Sequence, residues 1–164
     1  MIPLFLGLTA FNLLCLITTT CMGYALAGRG HAGSLHLLLG VMTTMACIGV
    51  HCVVFTYFIA TAKWVQHAVS VKSLPVEWIA PTKSFKMQAF PAALAAMAMV
   101  FLTAILGAAA DNYTVSARWH FGAAIAAIVV NAIVAQREYV AISRNGKLID
   151  DLLAHINGPA NAST

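Results

Sequence analysis

The fold is decided by residues 35–62, which read LHLLLGVMTTMACIGVHCVVFTYFIATA and contain no Asp, Glu, Lys or Arg. About 20 consecutive apolar residues are enough for a helix to cross a hydrocarbon layer of ~30 Å. Three further apolar stretches occupy residues 4–27, 89–110 and 119–141. The chain is therefore predicted to be an all-α integral membrane bundle of four transmembrane helices.

The composition excludes an ordinary soluble domain. Of the 164 residues, 61% are hydrophobic and only 9% are charged, whereas soluble domains carry about 25% charged residues. A soluble fold could not hide this much apolar surface, so the lipid bilayer is the expected solvent. The net charge of +4 is spread over loops and a tail, which argues against a nucleic-acid partner. The four cysteines form no C-x-x-C pair, and we expect buried, small hydrophobic side chains.

The connections predict how the helices follow one another. Short links at residues 28–34 and 111–118 favour antiparallel neighbours. The longer link, residues 63–88, mixes prolines with apolar, aromatic and charged residues, and we expect it to lie in the interface or against a neighbouring subunit. Asn145-Gly146 indicates a turn that ends a domain of residues 1–144. Within the tail, residues 145–164, a stripe of leucine and isoleucine predicts a short amphipathic surface helix.

Lysine and arginine positions predict the orientation of the bundle. Seven lie in the long link, near the end of the fourth helix and in the tail, and two lie in the short links. Because cytoplasmic loops carry the excess of Lys and Arg, both termini are predicted to be cytoplasmic. The expected location is a bacterial cytoplasmic (inner) membrane.

Two histidines are predicted to lie at one depth of the membrane. His36 is near the start of the second helix and His120 near the start of the fourth. Two imidazoles at one level could ligate the iron of one b-type haem from opposite sides. The alternative is that each histidine sits among lipid headgroups or bonds a backbone carbonyl.

Glycine and arginine residues near these histidines suit the same cofactor. Gly40 and Gly122 could let the flat macrocycle approach a helix. Arg29 and Arg118 flank the same predicted face and could hold the haem propionates. The sequence thus provides a candidate for each group that a haem site requires.

A third histidine lies deeper on the second helix. His51 is about 22 Å below His36, with an angular offset of about 60°. This spacing resembles that of dihaem membrane cytochromes b, which carry two histidines on one helix, one for each haem. The fourth helix has Ala135 where a second ligand would be needed, so we expect a single haem.

His51 is also predicted to share a polar layer with Asn12 and Asn131. Polar groups inside lipid usually face the bundle and pair with each other. The layer could hold a quinone headgroup or accept a proton, or its hydrogen bonds could simply fix helix packing. Arg137 and Glu138 are expected to cap the inner end of the bundle, and we expect no acidic residue in the middle of the membrane.

The leading hypothesis is a small haem-b-binding, possibly quinone-linked, electron-transfer subunit of a larger membrane redox complex, more accessory than catalytic. An alternative is a cofactor-free structural or assembly subunit that packs against other membrane subunits through alanine-rich helix three and the 63–88 link. A third hypothesis is a copper or zinc protein that uses His31, His36 and His120. Common nucleotide-binding and hydrolase motifs are absent from the sequence.

Overall fold

The computed structural model describes residues 1–26 and 34–158, and these residues contain four long helices and no β-strand. The helices are α1 (Ile2–Leu26), α2 (Ser34–Val71), α3 (Ala80–Asp111) and α4 (Ala117–Asn157). A single 3-10 turn, Val76–Trp78, precedes α3. Each of the four helices is long and apolar enough to span a membrane, which confirms the predicted fold class at this level.

The long link predicted at residues 63–88 is mostly helical. Residues 63–71 continue α2 and residues 80–88 begin α3, so only residues 72–79 connect the two helices. The predicted helix bounds were too short because charges mark where a helix becomes polar, and backbone hydrogen bonding continues beyond that point. Pro81 lies in the first turn of α3, where a missing N–H costs nothing.

The predicted turn at Asn145-Gly146 is also wrong, because α4 runs without a break from Ala117 to Asn157. The amphipathic tail is the last part of this helix and not a separate surface helix. Its Leu152 is fully buried against Val65 and Val69 of α2. The burial of this apolar stripe outweighs the weak helix propensity of glycine, which costs about 1 kcal/mol relative to alanine.

The alanine-rich helix faces the bundle. Ala92 and Ala96 of α3 are buried together with Val134 of α4. Small side chains let two membrane helices approach closely, so this contact holds α4 firmly against α3. Since α4 also carries several candidate site residues, its rotation sets the geometry of the site.

The outer surface of the bundle is apolar on every helix. Large side chains such as Leu14, Met45, Ile105 and Ile133 are about half exposed or more, as expected for surfaces that meet lipid chains. Two cysteines, Cys21 and Cys52, are exposed as well, contrary to the expectation that all four are buried. This surface is consistent with an integral membrane protein.

Candidate functional site: a two-histidine cavity and a buried polar cluster

One end of the bundle contains a cavity of about 1020 Å³. It lies where α1 and α3 finish and α2 and α4 begin, so residues from all four helices line it. The volume is at the upper end of the roughly 300–1,000 Å³ that small-molecule sites occupy. Both His36 and His120 line this cavity.

The two imidazoles lie close together in an edge-to-face arrangement. Their ring centroids lie 6.1 Å apart, with the ring planes at 75°. Metal–imidazole distances of about 2.0–2.1 Å place the centroids of two trans imidazole ligands roughly 6–6.5 Å apart. At this separation His36 and His120 could both ligate one metal atom.

Each imidazole is seated against a glycine of a neighbouring helix. A Cβ added to Gly23 of α1 would lie 2.8 Å from Cε1 of His36, and one added to Gly107 of α3 would lie 2.9 Å from Cε1 of His120. Real Cβ atoms are essentially never this close to another heavy atom. Glycine is thus required at both positions if the rings keep their places.

The ring nitrogens differ in their hydrogen bonding. Nδ1 of His120 lies 3.0 Å from the backbone oxygen of Thr103 and can donate a proton to it, which leaves Nε2 free to ligate a metal. Metal-bound histidines usually make this kind of bond to a carbonyl or carboxylate. Nδ1 of His36 is buried without a hydrogen-bond partner among the described residues. Burying such a group unpaired costs about 1–3 kcal/mol.

The other residues proposed to contact haem differ in their position relative to the cavity. Gly40 lines the cavity, and Arg118 lines it as an exposed side chain. Gly122 is exposed and does not belong to the cavity lining. Arg29 lies outside the described residues, as does His31, which the copper or zinc hypothesis needs. Sequence reasoning missed Gly23 and Gly107, which could not be found without knowing how the helices are rotated.

A second group of polar side chains is buried deeper in the bundle. Nδ2 of Asn12 donates to Oδ1 of Asn131 over 3.1 Å. The same oxygen lies 3.3 Å from Sγ of Cys47 and 3.4 Å from Nε2 of His51. Glu138 completes this group, since its Oε1 is 2.8 Å from Nδ1 of His51. The structure thus brings together the three residues of the predicted polar layer and adds two more.

Glu138 lies inside the bundle and does not cap its inner end. Its side chain is only 1% exposed, whereas Arg137 is exposed. Glu138 follows His120 by 18 residues, about five full turns of an α-helix, so both point to the same face of α4. The 18-residue spacing between His120 and Glu138 can be read from the sequence and could have identified Glu138 as a residue that faces the bundle. A carboxyl group that was expected at the inner end of the bundle is therefore buried inside it.

Within residues 1–26 and 34–158 no group of three or more His, Cys, Asp or Glu side chains could hold a metal ion. A metal at the His36 and His120 pair would therefore take its other ligands from elsewhere, as the iron of a haem does from its macrocycle. No family model, curated protein or solved structure matches the chain. Fold and site define a class: a helical bundle whose helices are long and apolar enough to span a membrane, with a cavity that contains two imidazoles.

Proposed function

We propose that the protein is a small haem-b-binding electron-transfer subunit of a membrane redox complex, in which His36 and His120 would hold the haem iron. The observation that supports this most strongly is the 6.1 Å separation of the two imidazole centroids within one large cavity. Bound haem b would supply one-electron transfer.

The surroundings of the two imidazoles support ligation. The bond from His120 to the Thr103 carbonyl orients that ring, and second-sphere bonds of this kind raise the basicity of a ligand. Nδ1 of His36 makes no hydrogen bond within the described residues, so this nitrogen is not committed to another protein group. Gly40 leaves open space on the cavity wall, and the exposed Arg118 stands where a propionate could be held. We propose the same role for Arg29.

The proposed topology is an antiparallel bundle with both termini in the cytoplasm of a bacterial cell. The cavity is supported as the outer end by the distribution of cations, since Lys63, Arg137, Arg144 and Lys147 all belong to the opposite end. In this arrangement a haem held by the two histidines would lie near the outer face of the membrane.

For the deeper layer of Asn12, His51 and Asn131 we propose a proton-accepting role and not a quinone site. All three side chains are at most 3% exposed, and they do not belong to the cavity lining. A quinone headgroup would need space beside them. A quinone could still contact the protein at its lipid-facing surface.

Neighbouring subunits are proposed to contact the exposed face of α3 and the segment of residues 63–88. The buried alanines of α3 are used within the bundle, but Leu94, Phe101 and Ile105 on the same helix are exposed. In isolation these side chains would face lipid, and in a complex they would face another helix.

The experiment that tests the haem assignment is a reduced-minus-oxidised visible spectrum of the full chain, purified in mild detergent after expression with excess haem. We expect a sharp α-band with one haem per chain. His36→Ala and His120→Ala should each abolish it, while circular dichroism shows an intact helical fold. His67→Ala is the matched control, because His67 is exposed on the distal part of α2, and it should retain full absorbance.

Other results would point elsewhere. Full absorbance in His120→Ala would refute the ligand assignment. A featureless spectrum together with co-purifying membrane proteins would favour a cofactor-free assembly subunit. A featureless spectrum with stoichiometric copper or zinc, lost in His36→Ala, would favour a metal-handling protein.

A further inference from the structure

The hydrogen bonds of His51 to Glu138 and to Asn131 are both made when the His51 and Glu138 pair holds a proton. Asn131 Nδ2 donates to the Ala127 carbonyl over 2.9 Å, so Oδ1 of Asn131 is the atom that faces His51. An amide oxygen only accepts hydrogen bonds, so the 3.4 Å contact of Nε2 of His51 with this oxygen is a hydrogen bond when Nε2 carries a hydrogen. The 2.8 Å contact between Nδ1 of His51 and Oε1 of Glu138 then needs one more proton between these two atoms. Imidazolium with carboxylate and imidazole with carboxylic acid both satisfy this requirement, and both leave the pair neutral.

The pair is shielded from lipid and from water. The two side chains are 3% and 1% exposed. Charged groups in such surroundings are costly unless they are paired, which keeps the proton on the pair. A proton that is stored there can leave only along other polar groups of the bundle.

Polar groups connect the pair to the cavity. Cys47 lies one helical turn before His51 on α2, and Thr43 lies one turn before Cys47, steps of about 6 Å each. The Thr43 hydroxyl is 2.8 Å from that of Thr19, and both threonines line the cavity. Oδ1 of Asn12 is buried beside this route without a partner among the described residues. One ordered water can bridge a gap of this size and satisfy such an oxygen.

The opposite direction is closed by apolar side chains. Beyond Glu138 on α4 come Ala141 and Ile142, which are buried against Val54 and Phe58 of α2. On the face of α4 that carries Glu138 the next polar group is Asn145, which donates to Thr61 over 3.0 Å. The buried hydroxyl of Ser143 lies about 140° around the helix from Glu138. Asn145 lies seven residues from Glu138, about 10 Å along the helix. Hydrocarbon side chains offer no hydrogen bonds for proton transfer across this distance.

We propose that the His51 and Glu138 pair is a buried proton-exchanging site that is reached from the two-histidine cavity through Thr43, and not from the opposite end of the bundle. Release of one proton leaves imidazole and carboxylate, with a net charge of −1, and the proton passes to water or to a basic group in the cavity. Uptake by the same route restores the neutral pair. This inference deepens the proton-accepting role proposed for the buried layer and does not depend on haem.

The test measures hydrogen–deuterium exchange at the His51 imidazole of the full chain in lipid nanodiscs. The chain carries ¹⁵N-labelled histidine, and the His51 signal is identified by its loss in His51→Asn. Thr43→Val keeps the shape of the side chain and removes the hydroxyl. We expect it to slow exchange by about tenfold, the factor that corresponds to one lost hydrogen bond of typical strength. Thr43→Ser retains the hydroxyl and should restore the rate.

Thr61→Val is the matched control, because it removes a part-buried threonine hydroxyl on the far side of the apolar layer. Its exchange rate should equal that of the unmodified chain. Slower exchange in Thr61→Val, or equal rates in Thr43→Val and the unmodified chain, would overturn the proposal. Visible spectra of the same samples test haem separately, so a chain without haem could still show the Thr43 effect.

Discussion

Gly107 provides the most direct test of the two-histidine site. In Gly107→Ala the added Cβ would lie 2.9 Å from Cε1 of His120, and the ring must move until this distance reaches about 3.4 Å, the start of ordinary contact. An imidazole ring cannot bend, so the whole side chain shifts. The bond from Nδ1 to the Thr103 oxygen, now 3.0 Å, would then lengthen towards the limit of a hydrogen bond.

The size of the effect follows from three contributions. Overpacking a core costs about 1–3 kcal/mol, and the weakened hydrogen bond adds about 1 kcal/mol. Alanine has a higher helix propensity than glycine, which stabilises the helix by up to about 1 kcal/mol. We expect Gly107→Ala to lower the free energy of unfolding by about 1–3 kcal/mol. The affinity for haem should fall by about 10–100-fold, as it does when a second-sphere bond of a metal ligand is disturbed.

Gly49→Ala is the matched control, because Gly49 is an exposed helical glycine with nothing within 4 Å of an added Cβ. It should bind haem like the unmodified chain and gain about 0.5–1 kcal/mol of stability. The assays are haem titration followed at the Soret band and unfolding in mixed micelles. If Gly107→Ala and Gly49→Ala gave the same affinity and stability, the seating of His120 against Gly107 would be wrong.

Three further substitutions test other parts of the structure. Glu138→Ala leaves His51 without its buried partner and should lower the free energy of unfolding in mixed micelles by about 3–5 kcal/mol. Glu138→Gln can still donate a hydrogen bond to Nδ1 of His51 and should cost no more than about 1.5 kcal/mol. Equal losses in the two variants would contradict the hydrogen bonding described. Arg118→Gln should weaken haem binding only about twofold to fivefold, since the side chain is exposed, and Arg144→Gln at the other end should leave the measured Kd unchanged. Gly146→Ala should stabilise the chain by about 0.5–1 kcal/mol because α4 is continuous there, while destabilisation in the same thermal assay would support a turn.

The four apolar spans could be predicted from the sequence, because the free energy of transferring a side chain into lipid depends mainly on that residue alone. Hydropathy therefore finds the spans without knowledge of their neighbours. The matched depth of His36 and His120 follows from the same reasoning, since depth is a count of residues from the helix start. The ends of α2 and α4 could not be found in this way, because a helix continues beyond its apolar span where its side chains can pack against a neighbouring helix. Leu152 of α4, which packs against α2, is an example.

The sequence by itself determined that four helices form and roughly where each residue lies along them. Tertiary structure alone decided how each helix is rotated about its axis. That rotation places Gly23 and Gly107 beneath the two imidazoles, turns Gly122 outward, and joins His51 to Glu138 across the bundle. The physical reason is that rotation is set by packing between helices, such as the fit of Ala92 and Ala96 against Val134, and this fit depends on many residues at once.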